Sequence, residues 1–210
     1  RAERLAAAGS VSAKMAHEVR SPISAIGLNV EMLEEIVAKC PGPTMGDADE
    51  LLRGIRAEVE RLAGLTDEYL TFARLPRAQP AEDSVHEMVG ELVAFLRPEA
   101  ERRGVVLKEE CDPRIPLLSF DRDLVRRALL NLVKNGMEAT PRGGRVRVAT
   151  RLDSGWVQVT VADAGSGIEE RHAPHLFEPF FTTKPGGTGL GLAIARQIAE
   201  EHGGALTWAN

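Results

Sequence analysis

Residues 121–140, DRDLVRRALLNLVKNGMEAT, carry a strong helical period, and the rest of the chain can be read outward from them. Leu124, Val125, Ala128, Leu129, Leu132 and Val133 make an apolar face. Arg127, Asn131, Lys134, Asn135 and Glu138 fall on the other side of the same helix. Asparagine is a mediocre helix former, so a pair of them in mid-helix calls for a reason. The two amides point the same way, beside a lysine. Neutral amide oxygens suit Mg²⁺, which takes oxygen ligands and keeps several waters. Taken alone, the same face also suits a solvated polar surface.

Downstream, 145–152 and 156–163 alternate as strands, joined at Asp153-Ser154-Gly155, a hairpin signal. Val157, Val159, Val161 and Asp163 share one strand face, so if the valines enter the core the carboxylate does too. A buried carboxylate needs a hydrogen-bond donor, and the amino group of a ligand base is one. An aspartate serving the turn at Ala164-Gly165 is the other reading. Gly165 and Gly167 let the backbone come close to a flat ligand. Residues 186–192, GGTGLGL, lead into a helix at 189–202 and can turn free backbone N–H groups toward phosphates. They fit neither the Walker nor the Rossmann glycine pattern, and alone they equally suit a flexible loop before a helix. Residues 205–209 are expected to begin a final strand. Upstream, 84–103 read as a helix and 105–110 as a strand. Pro76 and Pro80 in LPRAQPAED mark a linker over 76–82, so 83–210 form an α+β unit.

Residues 1–39 have a different character. Leu5, Val11, Met15, Val19, Ile23, Ile26, Val30, Leu33 and Val37 give one long helix, with Pro22 expected to kink it. A turn at Pro41-Gly42-Pro43, with loop to about Gly46, leads to a second helix over 47–74. There Leu51, Ile55, Val59, Leu62, Leu65 and Tyr69 form a heptad-like stripe. Two such helices bury their stripes poorly alone. A second copy completing a four-helix bundle covers them, as does packing on the rest of the chain. His17, in HEVRSP, lies off the Met15/Val19 stripe and is expected to be exposed. An imidazole there offers a neutral nitrogen nucleophile at pH 7, and Glu18 can orient it and take its proton. A solvated surface histidine is the plain alternative.

Composition narrows the field. The chain has 210 residues, 43% hydrophobic and 27% charged, which excludes wholesale disorder. With 26 Lys+Arg against 31 Asp+Glu, the net charge of −5 argues against a phosphate-tracking nucleic-acid surface. Cys40 and Cys111 have neither disulfide-framework nor zinc-ligand spacing, and read as reduced cytosolic thiols. No apolar run is long enough to cross a bilayer. The chain opens at Arg1, already inside a helical pattern, and is read as part of a longer protein.

Together these segments resemble the sensor histidine kinases of two-component signalling. HEVRSP is similar to the family's phospho-acceptor motif and NLVKNGMEAT to its asparagine box. VADAGSGI and GGTGLGLAIARQIAEEHGG resemble its two glycine boxes, and LFEPFFTTK its phenylalanine box. The resemblance implies a helical phosphotransfer and dimerisation hairpin at 1–75, a linker at 76–82, and a Bergerat-type α/β sandwich binding ATP at 83–210. It implies that His17 takes the γ-phosphoryl group with Glu18 as base. Asn135 would hold Mg²⁺, Asn131 and Lys134 would contact the phosphates, and Asp163 would accept from the adenine amino group beside Gly165 and Gly167. Lys184, Thr188, Gly189, Leu190 and Gly191 complete the implied nucleotide set, with a mobile cover over 168–188 anchored by Phe177, Phe180 and Phe181. The implied partners are a second copy of the chain and the receiver domain of a response regulator, with no nucleic acid, no membrane contact here, and a cytoplasmic location.

Several positions bear on the subclass. ATP-hydrolysing relatives of the fold carry Glu where this chain has Asn131, so the resemblance favours transfer to His17 over hydrolysis. Gly136 replaces the usual alanine and is expected to loosen the helix. Ser21 stands where phosphatase-competent members carry Thr or Asn, which argues against a phosphatase-dominant member. Retention of His17, Glu18 and Asn135 argues against an inactive, nucleotide-responsive scaffold. The family usually continues with a closing strand pair where this sequence stops at Asn210, so an edge of the nucleotide unit is expected to be missing.

Overall fold

A computed structural model describes residues 19, 22–36, 45–73, 75–184 and 187–210. The chain divides into two compact units, 1–74 and 75–210. In the first, residues 22–36 form helix α1 and Met45–Ala73 form α2. Helix α2 starts at Met45, earlier than the loop to Gly46 suggested. Ala25, Ile26, Asn29, Leu33 and Ile36 of α1 are half-buried, as are Leu51, Ile55, Leu62 and Tyr69 of α2. A Cβ added at Gly54 would lie 3.1 Å from Asn29 Nδ2, so the two helices meet there. Val59 departs from the expected stripe and is exposed; with Leu52 and Leu70 it forms a second apolar line along α2. Ile23 and Val30 do the same on α1. His17, Glu18, Ser21 and Cys40 lie outside the described residues, as does every residue before Pro22, where the kink was expected, except Val19.

The second unit is an α+β sandwich. Its elements are β1 (Ala81–Asp83), α3 (Val85–Arg103), β2 (Val106–Glu110), β3 (Leu118–Phe120), α4 (Arg122–Ala139), β4 (Arg145–Asp153), β5 (Trp156–Asp163), a short 3₁₀ turn (Ala173–His175) and α5 (Gly191–Glu201). Strand β4 is central, parallel to β2 and antiparallel to β5; β1 and β3 form a separate antiparallel pair. The β4–β5 hairpin turns through Ser154 and Gly155, both with positive φ (49° and 83°), as a two-residue primed turn demands.

One core holds this unit together. Val85, Met88, Val89, Leu92, Val93, Leu96 and Ala100 recur at helical spacing and put one whole face of α3 out of water. They meet Leu107 of β2, Val146 and Val148 of β4, and Leu129, Val133 and Met137 of α4. Val159 and Val161 of β5 are half-buried against the same cluster. Ser84 caps α3 by accepting from the Glu87 N–H (3.1 Å), and Gly104 ends it in the left-handed region.

Helix α4 is uninterrupted through Gly136, which is buried rather than loosened: an added Cβ would lie 3.3 Å from Asp163 Cβ and 3.5 Å from Val146 Cγ1. Asp121 starts the helix. Its Oδ1 accepts from Leu124 N–H (3.1 Å) and its Oδ2 from Gln79 N–H (2.9 Å), while its own N–H donates to His202 Nε2 (3.0 Å). The His202 Nδ1–H then points to the Ile198 carbonyl (2.8 Å). One residue therefore joins the linker, the start of α4 and the end of α5. Arg122 adds ion pairs to Asp83 (2.6 Å) and Glu91 (2.9 Å).

Within 76–82, Ala81 and Glu82 pair with Phe120 and Ser119, and Gln79 is bonded to Asp121. One expectation is corrected. Residues 205–209 form no strand. Instead the Asn210 side chain bridges Ile168, accepting from its N–H and donating to its carbonyl, each at 2.8 Å.

Candidate functional site

The site lies in the second unit, where α4, the end of β5 and the start of α5 converge. Asn131 is half-buried and its Nδ2 donates to the Gly191 carbonyl (3.2 Å), which turns this polar face of α4 toward the glycine-rich start of α5. Asn135 lies one turn on. Its Oδ1 accepts from Lys184 Nζ (3.0 Å), and the same ammonium reaches Glu138 Oε2 at 2.6 Å. Lys134, on the same helix, is exposed.

Asp163 points toward the α4 layer, as the alternation implied, but it is exposed rather than buried. Its Cβ faces Gly136 of α4, which has no side chain to cover it. The carboxylate instead accepts from the Gly165 N–H through Oδ1 (2.8 Å), the turn reading of this aspartate. Gly165 fits nothing larger: an added Cβ would stand 2.7 Å from Asp163 Oδ1 and 2.9 Å from the Ala139 carbonyl. Gly167 adopts φ +72° beside Asn210.

The segment between β5 and α5 is held by aromatic and backbone contacts. Arg196 of α5 stacks over Phe177 at 5.6 Å, and the Phe181 ring lies 5.7 Å from both His172 and His175. Phe180 and Gly189 clasp each other. Both have positive φ (65° and 67°), and the Phe180 N–H donates to the Gly189 carbonyl at 3.0 Å. Thr188 Oγ1 accepts from the Leu190 N–H (3.3 Å). No side chain among the described residues caps α5, so its first-turn N–H groups are left for another acceptor. Gly186 lies outside the described residues.

These residues fit Mg²⁺ accompanying a phosphate ligand. No cluster of three or more His, Cys, Asp or Glu able to hold a metal unaided occurs among the described residues. A cation that takes only one or two protein oxygens and completes its shell with phosphate and water needs no such cluster. The Lys184 ammonium shows that the Asn135 and Glu138 oxygens converge on one cation-sized point. Sequence reading placed Glu138 on this face but gave it no role; its position three residues after Asn135 was the available signal.

Two family models match the chain. The model of the His Kinase A (phospho-acceptor) domain covers residues 7–78, and that of the histidine kinase-, DNA gyrase B-, and HSP90-like ATPases covers residues 120–210. The catalytic domain of histidine kinase ThkA is 32% identical, with a TM-score of 0.55, over 59% of this chain and 81% of that one. This chain belongs to the sensor histidine kinase family.

The longer comparisons agree. Histidine kinase ThkA, solved in complex with response regulator protein TrrA, aligns with 97% of this family member and 58% of that chain, at TM-score 0.78 and 28% identity. Sensor histidine kinase ZraS of Klebsiella oxytoca is 33% identical over 208 residues, which is 98% of this chain and 44% of ZraS. The chain thus spans less than half the length of the curated relatives it matches. Among the described residues no helix is long and apolar enough to cross a membrane.

Proposed function

We propose that this chain is the phosphotransfer and catalytic part of an ATP-dependent protein-histidine kinase, and that it phosphorylates its own His17. The observation that carries the reading is the Asn131–Gly191 hydrogen bond, which sets the amide pair of α4 against the uncapped start of α5. The triphosphate lies between them, touched by Asn131, Lys134, Lys184, Thr188, Gly189, Leu190 and Gly191. The base sits over Gly165 and Gly167 and donates its amino hydrogen to Asp163. Asn135 holds the divalent cation, Mg²⁺, whose chemistry is to neutralise phosphate charge. No Glu occupies position 131 to activate water, so the pocket positions a phosphoryl group for a protein acceptor.

The acceptor is His17, within the segment matched by the phospho-acceptor model. Its ring nitrogen bonds to the γ-phosphorus as the bond to the bridging β–γ oxygen breaks, ADP leaves, and Glu18 takes the ring proton. The phosphoryl group then passes to an aspartate on the receiver domain of a response regulator, a partner class supported by the ThkA–TrrA complex. Two copies pair through the hairpin, supported by the exposed apolar lines along α1 and α2. The reading assigns 1–75 to phosphotransfer and dimerisation, 76–82 to the connection and 83–210 to nucleotide binding, in the cytoplasm.

Incubation with γ-labelled ATP and Mg²⁺ puts acid-labile label on His17, and His17→Gln carries none. Label that persists in His17→Gln, or its absence from the wild-type chain, sinks the reading.

A further inference from the structure

Lys184 is held where the proposed cation belongs. Its ammonium lies 3.0 Å from Asn135 Oδ1, the oxygen assigned to the metal, and 2.6 Å from Glu138 Oε2. One oxygen cannot serve an inner-sphere divalent ion and a lysine ammonium at the same point: two like charges at contact distance repel, and both need the same lone pairs. The neutral Asn135 amide alone is a weak anchor for an ammonium. The charge-assisted partner is Glu138, one turn along the same face of α4. The clasp between Phe180 and Gly189 fixes the base of the segment bearing Lys184, which confines the ammonium to the neighbourhood of α4 and the start of α5.

We propose that Glu138 is a positioning residue that parks the Lys184 ammonium on Asn135 when no nucleotide is bound, so that Lys184 must leave before a divalent cation can use that oxygen. This rests on the nucleotide-site reading above. Lys184 thus has two stations: Asn135 and Glu138 in the nucleotide-free protein, and the phosphates once the cation has taken Asn135. The parked contact is easily released, since both side chains are about two-fifths exposed (41% and 39%). Half-exposed ion pairs of this kind shift equilibria by about twofold to fivefold.

The test is a double-mutant cycle on Mg²⁺·ADP binding, measured by calorimetry with the 210-residue chain. Removing the Glu138 charge also alters the field at the cation, so the informative quantity is the coupling. Glu138→Gln should tighten Mg²⁺·ADP binding about twofold to fivefold more in the Lys184 background than in Lys184→Met, because only with Lys184 present does it weaken the nucleotide-free state. A ratio of one or below overturns the inference. In the nucleotide-free protein, Glu138→Gln should also speed amide hydrogen exchange over residues 181–184 by a similar factor, and unchanged exchange overturns it as well. Failure of the wild-type chain to bind Mg²⁺·ADP defeats the nucleotide-site reading and this inference with it, whereas binding with a ratio of one defeats this inference alone.

Discussion

Gly189 carries a conformational demand that no other residue type meets at that point. Its φ of +67° is left-handed, and an added Cβ would stand 2.5 Å from the Phe180 carbonyl carbon and 2.7 Å from the Phe181 nitrogen, both backbone atoms. Gly189→Ala is therefore expected to lower stability by about 1–3 kcal/mol and to weaken nucleotide binding, measured by thermal melting and calorimetry on the same sample. Unchanged melting would mean that the Phe180 clasp is absent. The glycine run was legible as the entry to a helix, but its left-handed partner was not, because nothing local marks Phe180 for a positive φ. Asp163 shows the converse. Period-two alternation gave its direction, while its exposure depended on the neighbour it meets from another element, Gly136.

Among the elements, α3, α4, the β4–β5 hairpin and α5 were all legible, because each has a clear apolar period in its own sequence. Strands β1 and β3 were not: each is three residues long, and their pairing joins Ala81 to Phe120, a partner that no local pattern announces. That pair is secured by Asp121. Hydrogen bonds from the Gln79 N–H first, and then from Leu124 N–H, hold its carboxyl below the usual range, and the Arg122 guanidinium does the same for Asp83. A depressed folded-state pKa gives stability that is fully present above the unfolded value of about 3.9 and is lost as pH falls through the folded one. Asp121→Ala is expected to cost about 1–2 kcal/mol at pH 7 and to flatten the acid limb of the stability profile, read by urea unfolding between pH 2 and 7. An acid limb as steep as that of the wild type would show that Asp121 does not carry this effect.

Across the whole molecule, the two-unit organisation was legible from the proline-bearing stretch and the change of periodicity, while the site itself depends on contacts between segments far apart in the chain. Gly165 meets Ala139, and Lys184 meets Glu138. Helix α2 exposes Leu52, Val59 and Leu70 along one line, a surface that a second copy can cover. Sedimentation should give a dimer for the wild-type chain and a monomer for Leu52→Glu/Val59→Glu, with the nucleotide unit still melting as before. A wild-type monomer, or a dimer that survives both charges, would remove the bundle from the account.

The bond from Gln79 to Asp121 has a consequence for reach. Because Gln79 is already fastened to the nucleotide unit, residues 75–78 are what that unit has before this anchor. At about 3.5 Å per residue they span at most about 14 Å. So short a leash keeps the local concentration of one unit around the other high. For the proposed transfer from ATP to His17, that leaves orientation rather than search as the requirement.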